Sequence, residues 1–316
     1  MIQYLYLGRA DYDEGLRLQA EVGALVAAGR LKNVLLLLEH PAVLTLGRNG
    51  KRANVLASDE LLAARKVTLH EINRGGDVTY HGPGQLVGYP IFDLRSLKGP
   101  RGPRMGPVDF VRGMEEALIR VCAGFGVQAE RIAGMTGVWV GQGIATPASI
   151  DRSPGTSAGN REQGIGNEKQ GPGTKGPGTK GLGTGNAAAG FERKIGAIGI
   201  HVARGITSHG FAFNVTTDLR DFELIVPCGI RDHAVTSLER EVGAGVELPG
   251  LEAVANATAR QFGMVFDERV LAVESVDALR AMAAEPSGEF PAEDTPMRVP
   301  VEVGRLLGAA ERPVRG

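Results

Sequence analysis

The sequence is short of the features that would tie a protein to metal, redox or membrane chemistry. Its 316 residues hold only two cysteines, Cys122 and Cys228. That is too few for a disulfide framework and fits a reducing, cytoplasmic compartment. No CxxC, HxxE or Cys/His cluster occurs, so no metal and no other cofactor is expected. Neither a GxGxxG nor a Walker spacing is present. Lysine and arginine (35) nearly balance aspartate and glutamate (36), giving a formal net charge of −1. Nucleic-acid binding driven by bulk charge is thereby excluded. No run reaches the roughly 18 apolar residues of a membrane span. The apolar stretch 34–38 stops at Glu39, His40 and Pro41. The N-terminus, MIQYLYLGRADYDEG, lacks the basic start and long apolar core of a signal peptide.

What is present gathers in two stretches. The first, KIGAIGIHVARGITSHGFAFNVTTDLRDFELIVPCGI, opens at Lys194 and ends at Ile230. Alternation predicts a strand from Lys194, with Ile198, Ile200 and Val202 on its own face. A turn-like stretch over 203–210 follows, then a returning strand through Phe211, Phe213 and Val215. Cys228 sits between Pro227 and Gly229, which fix the local backbone and let another molecule approach closely. A thiolate is the reactive form of cysteine, and a nearby lysine either favours it by charge or takes its proton. The bland alternative is a small buried cysteine and a solvated lysine.

The second stretch, RGGDVTYHGPGQLVGYP, begins at Arg74. Gly75, Gly76, Gly82 and Gly84 surround Tyr80, His81 and Gln85. This composition suits a backbone wall lying against a ligand, with N–H groups able to bind a carbonyl or an anion. His40, extended ahead of Pro41, reads as structural.

These stretches follow Glu39-His40-Pro41 and Thr45-Leu46-Gly47-Arg48 in order, and KIGAIGI, SHGFAFNV and IVPCGI complete the set. Together they resemble the octanoyltransferase family of lipoate synthesis over most of residues 1–265. The resemblance implies acyl transfer through a thioester on Cys228, with Lys194 tuning the thiol. It implies that Arg74, Gly75, Gly76, Asp77, Val78, Thr79, Tyr80 and His81 line the acyl site, with Ala197, Ile198, Gly199, Gly210, Phe211 and Ala212. His81 and His209 would position the carbonyl or relay protons. Partners would be octanoyl-acyl carrier protein and the lipoyl domains of 2-oxoacid dehydrogenase complexes and the glycine cleavage H protein, with no nucleic acid and no membrane. Two other readings stand beside it. One is an ATP-dependent lipoate or biotin protein ligase, and the other is a non-catalytic lipoyl-domain binder with a silent thiol.

Helical and strand patterns mix without a βα repeat, which predicts an α+β fold. The resemblance implies a mixed sheet flanked by helices, like the catalytic domain of biotin and lipoate protein ligases. The catalytic domain would span 1–266. It would be interrupted at 142–190 by a low-complexity insertion with too few large apolar residues to order itself. Residues 267–316 would form a helical extension and a flexible tail. Helices are predicted over 11–28 (stripe Leu18, Val22, Leu25, Val26), 108–125 with Cys122 in its core stripe, 251–262 and 270–284. A last strand is read at 264–266. The acid-free loop 95–104, carrying Arg95, Lys98, Arg101 and Arg104, is a candidate dock for an acidic carrier.

Overall fold

The computed structural model describes residues 1–100, 102–141, 192–226 and 234–284. The 142–190 insertion, the chain beyond 284, Arg101, Cys228 and Gly229 lie outside the described residues.

The main sheet runs through the molecule as a mixed array. Its strands are β1 (Ile2–Arg9), β2 (Asn33–Glu39), β6 (Gln85–Ile91), β7 (Glu130–Ile132), β8 (Met135–Val140), β9 (Arg193–Ala203), β10 (Ile206–Asn214), β11 (Ala234–Val235) and β12 (Val270–Ala272). The order across the sheet is β12-β1-β2-β6-β10-β9-β8-β7, with β11 beside β9. β1 pairs parallel with β2 and β12, and β11 pairs parallel with β9; the other pairs are antiparallel. A small sheet, β4-β3-β5, is built from β3 (Val43–Leu46), β4 (Thr68–Glu71) and β5 (Val78–His81).

Helices cover both faces of the main sheet. On one face lie α3 (Pro107–Gly124) and α5 (Leu251–Phe266), whose Phe110, Met114, Leu118, Phe262 and Phe266 join Leu35, Leu37, Leu86, Phe211 and Phe213. On the other lie α1 (Tyr12–Ala27) and α6 (Val276–Ala284), which bury Val22, Val26, Leu279 and Ala283 against Val34, Leu36, Leu38 and Ile91. β2 therefore points into a core on each side, which is why it reads as a continuous apolar run rather than an alternating one. The small sheet keeps its own core around Leu44, Leu62, Val78, Tyr80 and Phe222. Two short helices complete the fold, α2 (Asp59–Ala64), capped by Ser58, and α4 (Leu238–Val242), capped by Ser237. No helix of the described residues is long and apolar enough to cross a membrane.

The α+β expectation holds, and Cys122 is buried in the α3 core, where burial pushes its thiol up to about 12. Three local readings are corrected. Residues 264–266 are the last turn of α5, since Phe266 packs on Phe110 with ring centroids 5.1 Å apart. Val270–Ala272 is an edge strand on β1, not helix; the helix begins only at Val276. The buried face of α1 is Tyr12, Gly15, Gln19, Val22 and Val26, rotated from the expected stripe, because two polar positions of this helix are drawn in by histidines.

A tight spot ties β6 to β10. Gly88 lies directly across from Phe211, and a Cβ there would run into the Phe211 ring. Gly88→Ala is therefore expected to lower unfolding stability by about 1–3 kcal/mol, the usual cost of overpacking a core. Urea titration measures this, and an unchanged midpoint would show that the ring swings aside freely.

Candidate active site

The site is a cavity of about 400 Å³ between the small sheet and the main sheet. Its floor is made of small residues on paired strands, Gly210 opposite Gly199 and Ala212 opposite Ala197. Its wall is the glycine-rich run, with Arg74, Gly75, Gly76, Asp77, Val78, Thr79 and His81 all on the lining. Lys194, Ile198, His209 and Phe211 line it too.

The wall is held by backbone contact. Gly47, Arg48 and Asn49 donate their N–H groups to the carbonyls of Asp77, Arg74 and Gly76 at 3.0, 3.0 and 3.1 Å. The Gly75 N–H donates to Ile200 O on β9 at 3.0 Å, so it is not available to an oxyanion. Side chains at Gly47 or Gly199 would strike the carbonyls of Gly76 or Gly75. Gly76 adopts φ +88°, a conformation that glycine enters without a Cβ penalty.

Arg74 is buried and braces the small sheet, donating to Thr45 O at 2.7 Å and to Thr45 Oγ1 at 2.9 and 3.2 Å. Asp77 accepts from Asn54 Nδ2 at 2.5 Å and from the Val78 N–H at 2.8 Å, so its carboxylate braces the loop. The cationic Arg74 and burial keep the neighbouring histidines neutral. Burial, then the charges of Arg74 and His201, push His209 down to about 4. Burial, then His40, Arg74 and His209, push His81 down to about 3 against the opposing hydrogen bond of Gln85. His209 bonds Asn73 Oδ1 through Nε2 at 2.7 Å, and its backbone N–H donates to Gln19 at 2.8 Å. His40 is structural as expected. Its Nδ1–H donates to Ala10 O and its Nε2 accepts from the Tyr89 hydroxyl, both at 2.7 Å.

Lys194 reaches the cavity through an irregularity in β9. Val138 pairs with Gly196, yet the next residue, Trp139, pairs with Lys194, which leaves Ile195 as an extra residue. Ile195 and Gly196 both turn toward the α3 core. Lys194 consequently shares the face of Ala197 and Gly199, not that of Ile198, Ile200 and Val202 as simple alternation predicts. A bulge beside a site commonly re-aims one side chain in this way. Lys194 Nζ lies 4.5 Å from the centre of the Trp139 ring, within cation–π range. Glu115 of α3, fully buried and paired with Arg112 and Arg131, anchors β8 by accepting from the Gly137 N–H at 3.0 Å.

One expected lining residue is placed elsewhere. Tyr80 faces away from the cavity into the small-sheet core, where its hydroxyl donates to Asp221 at 2.7 Å. A Cβ at Gly82 would meet that hydroxyl, which accounts for glycine there. Sequence reasoning missed Tyr12, Tyr89, Met135 and Trp139 on the lining. Trp139 had a signal in the apolar Val138-Trp139-Val140 run; the others arrive by packing. A second concavity of about 370 Å³ shares Thr136 with the first. Val108, Val111, Ile200 and Val202 line it, with Arg48, Arg112 and His201.

Residues 11–263 match the lipoyl protein ligase A/B catalytic domain. An octanoyltransferase of Acidobacterium capsulatum is 53% identical over 279 residues, covering 87% of this chain and 94% of that one. An octanoyltransferase of Koribacter versatilis is 42% identical, covering 97% of both. This chain belongs to the octanoyltransferase family. It is an acyltransferase of lipoate biosynthesis. Among solved structures, the fold resembles a bi-partite lipoate protein ligase of Thermoplasma acidophilum (TM-score 0.55, 15% identity, covering 90% of this chain and 91% of that one). It also resembles lipoate-protein ligase A bound with ATP (TM-score 0.53, 14% identity, covering 90% and 93%). The mixed sheet with flanking helices is thus the ligase catalytic fold.

The neutral histidines have a consequence for stability. His209 ionises near 6.5 when unfolded and near 4 when folded, so the unfolded chain binds more protons between these values. Its contribution to stability is complete above pH 6.5 and falls as the pH drops toward 4, by up to about 1.4 kcal/mol per pH unit. His209→Asn tolerates the left-handed backbone at φ 55° and does not titrate. Urea midpoints of this variant between pH 7 and 4.5 are expected to fall less steeply than those of the wild type. Parallel slopes would show that His209 takes up a proton as readily in the folded chain as in the unfolded one.

Proposed function

We propose that this enzyme moves an octanoyl group from acyl carrier protein to a lysine of a lipoyl domain through a thioester on Cys228. The observation that carries this is how the chain is held on either side of the cysteine. Before it, the Val226 N–H donates to Asn54 O at 2.8 Å, and Asn54 is the residue that holds Asp77 in the cavity wall. After it, Val235 pairs with Lys194, and the Thr236 N–H donates to Lys194 O at 2.9 Å. The chain on either side of the cysteine is therefore fastened to Lys194 on the cavity lining and to Asn54, the partner of the lining residue Asp77.

In the first displacement, the Cys228 sulfur attacks the carrier thioester while Lys194 holds or accepts the thiol proton. The carrier thiol leaves. In the second, the acceptor amine attacks the acyl-enzyme, an amide forms and Cys228 is freed. Dividing the transfer at a covalent intermediate is the general logic of nucleophilic catalysis. A thioester lies uphill of an amide, so no ATP and no metal are required. Candidate oxyanion donors are the N–H groups of Gly76, Asp77 and Gly229. The cavity volume lies within the roughly 300–1,000 Å³ of small-ligand sites, and its floor of glycine and alanine leaves room for a medium alkyl chain. The adjoining apolar concavity with Arg48 suits the phosphate-bearing arm that presents the thioester. Lys98 and Arg104, exposed on the loop ahead of α3, suit the acidic carrier itself. Arg95 is less free for this, being paired with Asp93 at 2.8 Å.

Two measurements test the reading. Intact-protein mass after mixing with octanoyl-acyl carrier protein, without ATP, is expected to show one octanoyl group on wild type and none on Cys228→Ser. Adding a lipoyl domain should discharge it. Transfer that appears only with ATP would move the enzyme to the ligase class, and an adduct on Cys228→Ser would name the wrong nucleophile. Separately, Ala197→Leu fills the floor and is expected to lower kcat/KM for octanoyl relative to butanoyl thioesters by on the order of tenfold, as when pocket volume is removed. An unchanged chain-length profile would place the acyl tail elsewhere.

A further inference from the structure

A polar chain runs beneath the cavity wall, and its direction is fixed. It starts at the carbonyl of Thr236, which accepts from Asn214 Nδ2 at 2.9 Å. Asn214 Oδ1 accepts from Gln85 Nε2 at 2.9 Å, and the same Nε2 donates to Tyr80 O at 3.1 Å. The remaining atom of the Gln85 amide, Oε1, is 2.8 Å from His81 Nδ1. A main-chain carbonyl only accepts, so neither amide can flip without setting donor against donor or acceptor against acceptor. His81 must then carry its proton on Nδ1 and a lone pair on Nε2. That Nε2 has no hydrogen-bond partner among the described residues, and His81 lines the cavity.

We propose that Gln85 is a positioning residue that holds His81 as the Nδ1–H tautomer, so that Nε2 offers the attacking amine a fixed, uncharged hydrogen-bond acceptor. This rests on the acyl-transfer reading above. The surroundings favour the uncharged ring. Tyr12 of α1 stacks on it with centroids 6.2 Å apart and His40 meets it edge-on at 6.2 Å. Arg74 from the wall and His209 of β10 both disfavour a cation there. Lys194 also lines the cavity, and Asp77 is held by Asn54. A ring so hard to protonate is an acceptor and not a base. It takes a hydrogen bond from one N–H of the neutral amine and thereby aims the nitrogen lone pair at the carbonyl carbon. As the C–N bond forms and the C–S bond breaks, the amine proton ends on the departing Cys228 sulfur, and His81 is unchanged.

The test is nitrogen NMR on the full chain with labelled histidine, read beside single-turnover kinetics. In the wild type, His81 is expected as the Nδ1–H tautomer with no titration between pH 5 and 8. Gln85→Glu keeps an oxygen at the same place but adds a charge, so His81 should titrate in that window and amide formation should gain a matching ionisation. Gln85→Leu should slow discharge of the acyl-enzyme to a lipoyl domain by on the order of tenfold, the loss expected for one misdirected hydrogen bond. Acylation of Cys228 should change far less. An Nε2–H tautomer in the wild type, or titration near the free value, overturns the proposal whatever the activity. Equal slowing of both half-reactions in Gln85→Leu overturns the role assigned to the amine. The Nδ1–H tautomer in a chain that never acylates Cys228 would instead overturn the reading of the reaction, and the amine's part with it.

Discussion

Everything about the site depends on a seam where two sheets touch backbone to backbone. Gly75 donates to Ile200 across it, and Gly199 and Gly47 lie so close to opposing carbonyls that a methyl group would part the layers. Close contact at the seam leaves a cavity beside it, because the next residues along β9 and β10 are alanines and glycines that do not fill the space. The wall is rigid for the same reason. Its carbonyls are taken up by Gly47, Arg48 and Asn49, and its buried arginine is locked onto Thr45.

That seam also sets the electrostatics. Burial first, and then the buried guanidinium of Arg74, make the cavity unfavourable to a charged imidazole. His81 and His209 respond by remaining neutral. A neutral imidazole donates at one nitrogen and accepts at the other, so hydrogen-bond direction matters more here than proton affinity.

Much of the fold was legible because local patterns agreed with it. The strand from Lys194, its return through Phe211 and Phe213, and the helices at α1, α3 and α5 follow from apolar spacing alone. The pattern at 264–272 points the wrong way. An apolar Met-Val-Phe run is ambiguous between helix and strand over so few residues, and the packing of Phe266 on Phe92, Phe110 and Phe262 keeps it helical. The lining was legible where it ran in a continuous motif, as from Arg74 to Thr79. It was wrong at Tyr80, whose strand position turns it outward.

By itself the sequence determined the family, the glycine wall, the candidate cysteine and lysine, and the two-sided burial of β2, since these rest on residue identity and short-range periodicity. Only the tertiary structure decided which face Lys194 occupies, because one extra residue at Ile195 inverts an alternation that the sequence shows as unbroken. Only it could bring Tyr12 to the cavity, since α1 lies far from the glycine wall in the chain, and only it turns Tyr89 of β6 toward the same space. And only it could fix the tautomer of His81, which is imposed through Gln85 and Asn214 by a carbonyl 155 positions further on, at Thr236.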